Sequence, residues 1–227
     1  VVTDKKKATS DEECSSAFAD EVFRDLLQRR KILLKGTING SIIEKAVMQI
    51  ELFNLEDDDK EQTLADYDRL QHPIMVYLHS AGGYCNEGLA LISAIEQSLT
   101  PVYTVVVGKA LSMGLMILTA GHYRAAYRHA ELMYHQISYG ALGDHTDIGR
   151  SVAYSATIQQ KLEALLLERT YITKKQLQGV NDKRIDWYFT PEEALELGVI
   201  DKIIGRGLQV KKSPRPKGAK GSNTSPR

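Results

Sequence analysis

Cysteine is nearly absent: Cys14 and Cys85 are the only two in 227 residues. Two thiols cannot build a disulfide framework, and they lack the spacing of metal ligands, so a reducing compartment is the default expectation. Long apolar runs are missing as well, and no stretch reaches the roughly 20 residues that cross a bilayer. The amino end is polar, with Lys5–Lys7 followed by Asp11–Glu13, and shows no apolar signal region, so a cytoplasmic location is expected. Aromatics make up only 7% against 43% hydrophobic residues overall, which suits an α/β core of Leu, Ile, Val and Ala. There are no internal repeats. The length allows one substantial domain with its own core.

Net charge is also lacking, with 29 basic and 29 acidic residues, but the balance is uneven along the chain. Residues 205–227 hold Arg206, Lys211, Lys212, Arg215, Lys217, Lys220 and Arg227 and no acid. With Pro214, Pro216 and Pro226 and almost nothing apolar after Val210, this segment reads as a solvated, disordered tail. The rest carries 22 basic against 29 acidic residues. No basic groove interleaved with aromatics is visible, which argues against a nucleic-acid enzyme.

What is present is an alternation of helix and strand patterns. Asp11–Arg30 reads as an amphipathic helix, with Phe18, Val22, Phe23, Leu26 and Leu27 on one face. Lys31–Lys35 reads as a strand closed by Gly36, and Ser41–Glu44 as a capping box opening a helix through Phe53. The acidic run Glu56–Lys60 reads as an exposed loop. Strands are expected at Ile74–Leu78, Val102–Val107, Tyr123–Tyr127, Glu131–Tyr134 and Val199–Ile204. Helices are expected at about Glu87–Leu99, after Ser112, from Thr146 or Asp147 to about Tyr171, and after Thr190–Glu193, where an N-cap precedes Pro191. The alternation predicts an α/β fold with a largely parallel sheet, and such sheets collect ligands at the carboxyl ends of their strands. Two Gly-rich turns, Ser80–Gly83 and Gly108–Gly114, fall there.

Ser112 lies in the second turn, among small residues at a helix start. That setting exposes a hydroxyl and places the Met113 N–H beside it as an oxyanion donor. Activating the hydroxyl requires an imidazole oriented by a carboxylate. His135 ends a strand where the sheet delivers side chains to its active edge, and His79, beside the Gly-Gly turn, is its rival. His72, His122, His129 and His145 lie in polar surroundings and are expected on the surface. Asp182, Asp186 and Asp201 are all candidates for the acid, and position alone does not choose among them.

From Lys31 to Ile204 the chain resembles the proteolytic subunit of Clp protease, a serine peptidase of the Clp/crotonase-like fold. The resemblance is carried by Ile32–Gly36, Ser80–Gly83, Ala110–Gly114, Leu118–Gly121, Met133–Gln136, Thr146–Ile148 and Pro191–Asp201, in family order, with an apparent insertion within Asp57–His72. It implies Ser112 as nucleophile, His135 as base and Asp186 as the orienting acid. It further implies Gly83 and Met113 as oxyanion donors, with Gly82, Tyr84, Ile137 and Ser138 against substrate. Residues 1–30 would then form an amino-terminal segment near an axial pore, 31–204 the peptidase domain, and 136–171 a protruding handle. Subunits would stack as two seven-membered rings around a chamber. An AAA+ unfoldase would feed it with unfolded protein, and that partner would consume the ATP, leaving this subunit without a cofactor or metal of its own. An organelle of bacterial origin becomes an alternative location. The chain departs from the family at Ala81, Ile137 and Ile185, where the family pattern has Pro, Pro and Arg. Three other readings compete: a catalytically silent or weak ring subunit, a viral capsid-maturation protease on the same fold, and an acyl-CoA enzyme of the crotonase type.

Overall fold

The computed structural model describes residues 21–205 apart from Ala141. The expectations for residues 1–20 and for the basic tail beyond Gly205 lie outside the described residues. Helix α1, described over 21–28, leads into β1 (Lys31–Ile38). Then follow α2 (Gly40–Thr63), a 3-10 turn (Arg69–Gln71), β2 (Ile74–Gly83), α3 (Cys85–Gln97), β3 (Val102–Leu111) and α4 (Met113–Ala120). The second half contains β4 (Tyr123–Tyr127), β5 (Glu131–Tyr134), α5 (His145–Arg169), α6 (Lys174–Lys183), β6 (Trp187–Phe189), α7 (Pro191–Glu196) and β7 (Lys202–Ile204).

The strands form one seven-stranded sheet, five of them in the order β1-β2-β3-β4-β7 and parallel to their neighbours. β3 is long enough to have two partners. Its first half pairs with β4 from Tyr103 to Val106, and its second half with β5 from Lys109 to Leu111. β6 then adds to β5 as the single antiparallel pair among the described strands. This fork is what brings β5 alongside the end of β3.

One face of the sheet supplies the core. Along β2, Ile74, Val76, Leu78, Ser80 and Gly82 are buried while Met75, Tyr77 and His79 are half-buried, the period-2 pattern of a strand with one face against helices. α4 packs on β2 and β3 and is flanked by α3 and α5. All eight of its residues are buried, so it is apolar all round, as a central helix must be.

Several elements differ from the sequence expectation. β1 continues past Gly36 to Ile38, with a register shift between Lys35 and Thr37. β2 and β3 likewise run on through the two Gly-rich segments. α2 is capped by Asn39, whose side chain accepts the Ile42 N–H at 3.2 Å, and not by a box at Ser41. α5 begins one residue after Asp144, which accepts the Asp147 N–H, so Thr146 and Asp147 lie inside the helix. β7 is confined to Lys202–Ile204. α6 and β6 had no counterpart in the sequence reading.

The largest correction concerns the acidic run. Glu56–Lys60 is helical and forms part of α2, which extends to Thr63. The buried stripe of that helix runs Ile43, Ala46, Ile50, Phe53, Asp57, so Asp57 takes the next core position of a helical repeat. It is fully buried and accepts from both terminal guanidinium nitrogens of Arg30 (2.9 and 2.7 Å), the Tyr67 hydroxyl (2.5 Å) and the Thr100 hydroxyl (2.5 Å). Burial pushes this carboxyl up, but the Thr100, Tyr67 and Arg30 hydrogen bonds, with the Arg30 charge, outweigh it and hold it below the usual carboxylate range. The C-terminal half of α2 is thereby clamped to the turn between α1 and β1 and to the loop before β3.

Candidate active site

The end of β3 and the start of α4 meet at Ser112, one of three non-glycine residues with positive φ among those described. Its φ of 53° and ψ of −121° fit a sharp strand-to-helix turn and cost on the order of 1–3 kcal/mol of backbone strain. Hydrogen bonds on both sides hold the turn. The Ser112 N–H donates to the Met133 carbonyl at 2.9 Å, and the Ser112 carbonyl accepts from Leu115 N–H at 2.9 Å. Met113 is the first residue of α4, so its N–H belongs to the group that helix geometry leaves without an intrahelical acceptor, at the positive end of the helix.

Gly82 makes the close approach possible. It has φ of +102°, and a β-carbon there would lie 2.8 Å from Ser112 Cβ, 2.9 Å from the Leu111 carbonyl and 3.2 Å from Met113 N. Only a bare backbone fits against the serine turn. Buried Ser80 fastens this segment: its hydroxyl donates to the Gly36 carbonyl at 2.5 Å and accepts the Gly82 N–H at 3.1 Å. The turn is therefore held from the side chain at position 80. Gly83 closes β2 against Ile38, where a β-carbon would meet the Ile38 carbonyl oxygen at 2.2 Å.

His135 follows the last residue of β5, and its Nε2 lies 2.8 Å from Ser112 Oγ. The other ring nitrogen, Nδ1, lies 3.4 Å from Asp186 Oδ1. The imidazole is 27% exposed and the carboxylate 52% exposed. Serine, imidazole and carboxylate thus form a line at the carboxyl ends of β3 and β5.

The remaining candidates are placed elsewhere. His79 points to the opposite side of β2 from Ser80 and covers Gly108, where a β-carbon would sit 2.4 Å from its Nδ1. Asp201 is held by Arg124, through Nε at 3.0 Å and a terminal nitrogen at 2.7 Å. Asp182 is exposed on α6. His72, His122, His129 and His145 are exposed; His72 stacks on Tyr67 at 4.8 Å, and His122 Nδ1 accepts the Val102 N–H at 2.9 Å. Among the described residues no group of three or more His, Cys, Asp or Glu could hold a metal ion, and no helix is long and apolar enough to cross a membrane.

A groove of about 540 Å³ opens at Gly83 and is walled by Tyr84, Ile137, Ser138, Tyr139 and Tyr154. Three of the expected substrate contacts, Tyr84, Ile137 and Ser138, line it, whereas Gly82 lies buried beneath the serine turn. Cys85 also borders the groove, and burial pushes its thiol up, away from the reactive thiolate. Ser80 holds the Gly82 segment in place, and its position two before Gly82 on the buried side of β2 is the sequence signal for it.

An α/β protein of this layout, with a parallel-dominated sheet and a polar site at its strand ends, has known counterparts. The Clp protease family model matches residues 14–207. Over 193 residues the chain is 31% identical to the ATP-dependent Clp protease proteolytic subunit 2 of Rhodococcus jostii (strain RHA1), covering 84% of this chain and 92% of that protein. It is 29% identical over 188 residues to the ATP-dependent Clp protease proteolytic subunit 1 of Prochlorococcus marinus subsp. pastoris (strain CCMP1986 / NIES-2087 / MED4), covering 82% and 89%. The chain belongs to the Clp protease family.

Proposed function

We propose that this chain is the proteolytic subunit of an ATP-dependent protease and hydrolyses peptide bonds as a serine endopeptidase. The observation that carries the reading is the 2.8 Å contact between Ser112 Oγ and His135 Nε2, with Asp186 at the other ring nitrogen. Ser112 Oγ attacks the scissile carbonyl carbon while His135 takes its proton. Asp186 holds the tautomer and stabilises the imidazolium. The N–H groups of Gly83 and Met113 bind the oxyanion. His135 then returns the proton to the leaving amine, and water hydrolyses the acyl-enzyme by the same steps. This chemistry uses side chains, backbone N–H groups and water, so in this reading the subunit needs no cofactor or metal.

Kinship with subunits named as parts of ATP-dependent proteases supports the wider setting. In this reading the chains stack as seven-membered rings, with 136–171 as the handle between rings. An AAA+ unfoldase spends the ATP and threads unfolded protein into the chamber. A second reading, a catalytically weak ring subunit, draws on one feature: the His135–Asp186 contact of 3.4 Å is longer than a well-formed hydrogen bond. Such contacts often tighten only with substrate in place.

A fluorophosphonate probe distinguishes the two. The full-length chain should be labelled at Ser112, the Ser112→Ala variant should not, and peptidase turnover should fall by on the order of 10⁶ in that variant. Equal labelling of both proteins would overturn the assignment. Absence of labelling in an assembled wild type would favour the weak subunit.

A further inference from the structure

β5 ends at Tyr134, and residues 135–140 have no regular secondary structure, so the sheet ladder does not itself hold the imidazole. A side chain from another element brackets it. Gln159, half-buried on α5, donates from Nε2 to the Tyr134 hydroxyl at 2.9 Å and accepts the Ile137 N–H on Oε1 at 2.9 Å. Tyr134 is the residue before His135, and Ile137 lies two after it. One amide therefore grips the chain on both sides of the base.

The same amide reaches a carboxylate. Gln159 Nε2 also approaches Glu163 Oε1 at 2.6 Å, and that oxygen accepts from Asn181 Nδ2 at 2.7 Å. Tyr134 closes the cluster, its hydroxyl 3.3 Å from Asn181 Oδ1. Asn181 stands on α6, whose end turns through left-handed Arg184 and an Ile185 N–H bonded to the Val180 carbonyl, directly before Asp186. Glu163 thus ties the segment leading to the acid to the segment carrying the base. Burial, then the Glu163 charge, raise the Tyr134 phenol to about 12, so it stays protonated as a donor. Hydrogen bonds to an ionised carboxylate are the stronger, more directional kind, which suits a device that sets geometry.

We propose that Gln159, backed by Glu163, is a positioning residue that aims the His135 imidazole between Ser112 and Asp186, an inference that rests on reading Ser112 and His135 as nucleophile and base. The role needs an amide in particular. Leucine at 159 would fill similar space but leave the Ile137 N–H and the Tyr134 hydroxyl without this partner. Glutamate would keep an acceptor for Ile137 but place a second carboxylate against Glu163. The fold does not depend on this side chain, because α5 is anchored through buried Ile158, Leu162, Leu165 and Leu166.

The test compares full-length wild type with Gln159→Leu and Gln159→Glu, using turnover of a short fluorogenic peptide. A second readout is the rate at which diethyl pyrocarbonate modifies His135, located by fragment ions within the tryptic peptide 129–150, which also carries exposed His129 as the internal standard. Displacements of about 1 Å are worth up to about a hundredfold in rate, so kcat should fall roughly tenfold to a hundredfold. KM should change less, and His135 modification should accelerate several-fold relative to His129. Glu163→Gln, which keeps an acceptor for Asn181 but removes the charge, should lower kcat in the same direction by a smaller factor. Unchanged kcat and an unchanged His135 rate in a folded variant would overturn the proposal, as would a rise in KM alone, which would mean that Gln159 only shapes the groove through Ile137. If Gln159→Leu fails to fold, Gln159→Glu decides by the same readouts. If wild type is not labelled at Ser112, the peptidase reading falls, and the relative His135 rate still decides whether Gln159 holds the imidazole.

Discussion

Tyr134 and Trp187 are the last antiparallel partners of β5 and β6, and one step beyond them stand His135 and Asp186. The pair is brought together by strand register, across 51 positions of sequence, although the carboxylate itself is half exposed. Parallel pairing of β5 with β3 does the same for Ser112, which follows Leu111, the partner of Met133.

Asp186→Asn should therefore preserve the fold, since β6 keeps its register, while disturbing the imidazole. An acid that fixes the tautomer is worth about 10⁴ in kcat in other triads. Peptide turnover should fall by roughly that order while the melting temperature stays within a few degrees. A loss of less than about threefold would place the activity elsewhere, because even an ordinary hydrogen bond to a charged group is worth more.

Gly82→Ala is expected to act on both fold and chemistry. Its new methyl would collide with Ser112 Cβ and the Leu111 carbonyl at a φ of +102°, so the serine turn must shift or the variant must lose stability. Fluorophosphonate labelling of Ser112 should drop at least tenfold, and thermal unfolding should move down. Wild-type labelling and melting together would contradict the packing described here.

Legibility followed local chemistry. The parallel α/β layout, the Ser112 turn and the N-cap at Thr190 could be read because each rests on spacing within a few residues. The Thr190 N-cap is present as expected, and Glu193 completes a box, with the Thr190 N–H on Glu193 and the Glu193 N–H on Thr190. Thr173–Gln176 carries the same signature and opens α6, so the start of that helix is legible in the sequence as well. Asp57 was not readable as a core residue, because its burial depends on Arg30, Tyr67 and Thr100, distant partners that propensity does not see. The choice of Asp186 over Asp182 and Asp201 likewise needed kinship, since it depends on a three-residue strand pairing and on Arg124 engaging Asp201.

The Asp57 cluster should dominate the response of the C-terminal half of α2 to mutation and acid. Asp57→Ala leaves the Arg30 guanidinium, only 14% exposed, without its main partner, and breaking such a pair typically costs about 3–5 kcal/mol. Urea unfolding near neutral pH should show that loss. Because the folded-state pKa is depressed, the contribution is complete above the ordinary carboxylate value of 3.8 and disappears as pH falls through the lower folded value. The gap in stability between wild type and Asp57→Asn should hold constant above that range and narrow below it. A gap independent of pH down to full acid unfolding would show that the charge on Asp57 contributes nothing.

Ile148 and Val152 lie one turn apart on α5 and are 40% and 45% exposed. Water-facing apolar residues on the helix assigned to inter-ring contact are what the proposed assembly requires, since burial in a partner would return roughly 25 cal/mol per Å². Val152→Asp should leave the subunit folded, because its side chain already meets solvent. In the assembly it would place a carboxylate in each copy of a contact meant to be apolar, where central residues often contribute about 2 kcal/mol or more. Native mass spectrometry should then show the two-ring particle give way to single rings or smaller species, with peptidase turnover falling in step. A particle of unchanged mass and activity would mean that this face of α5 does not join subunits.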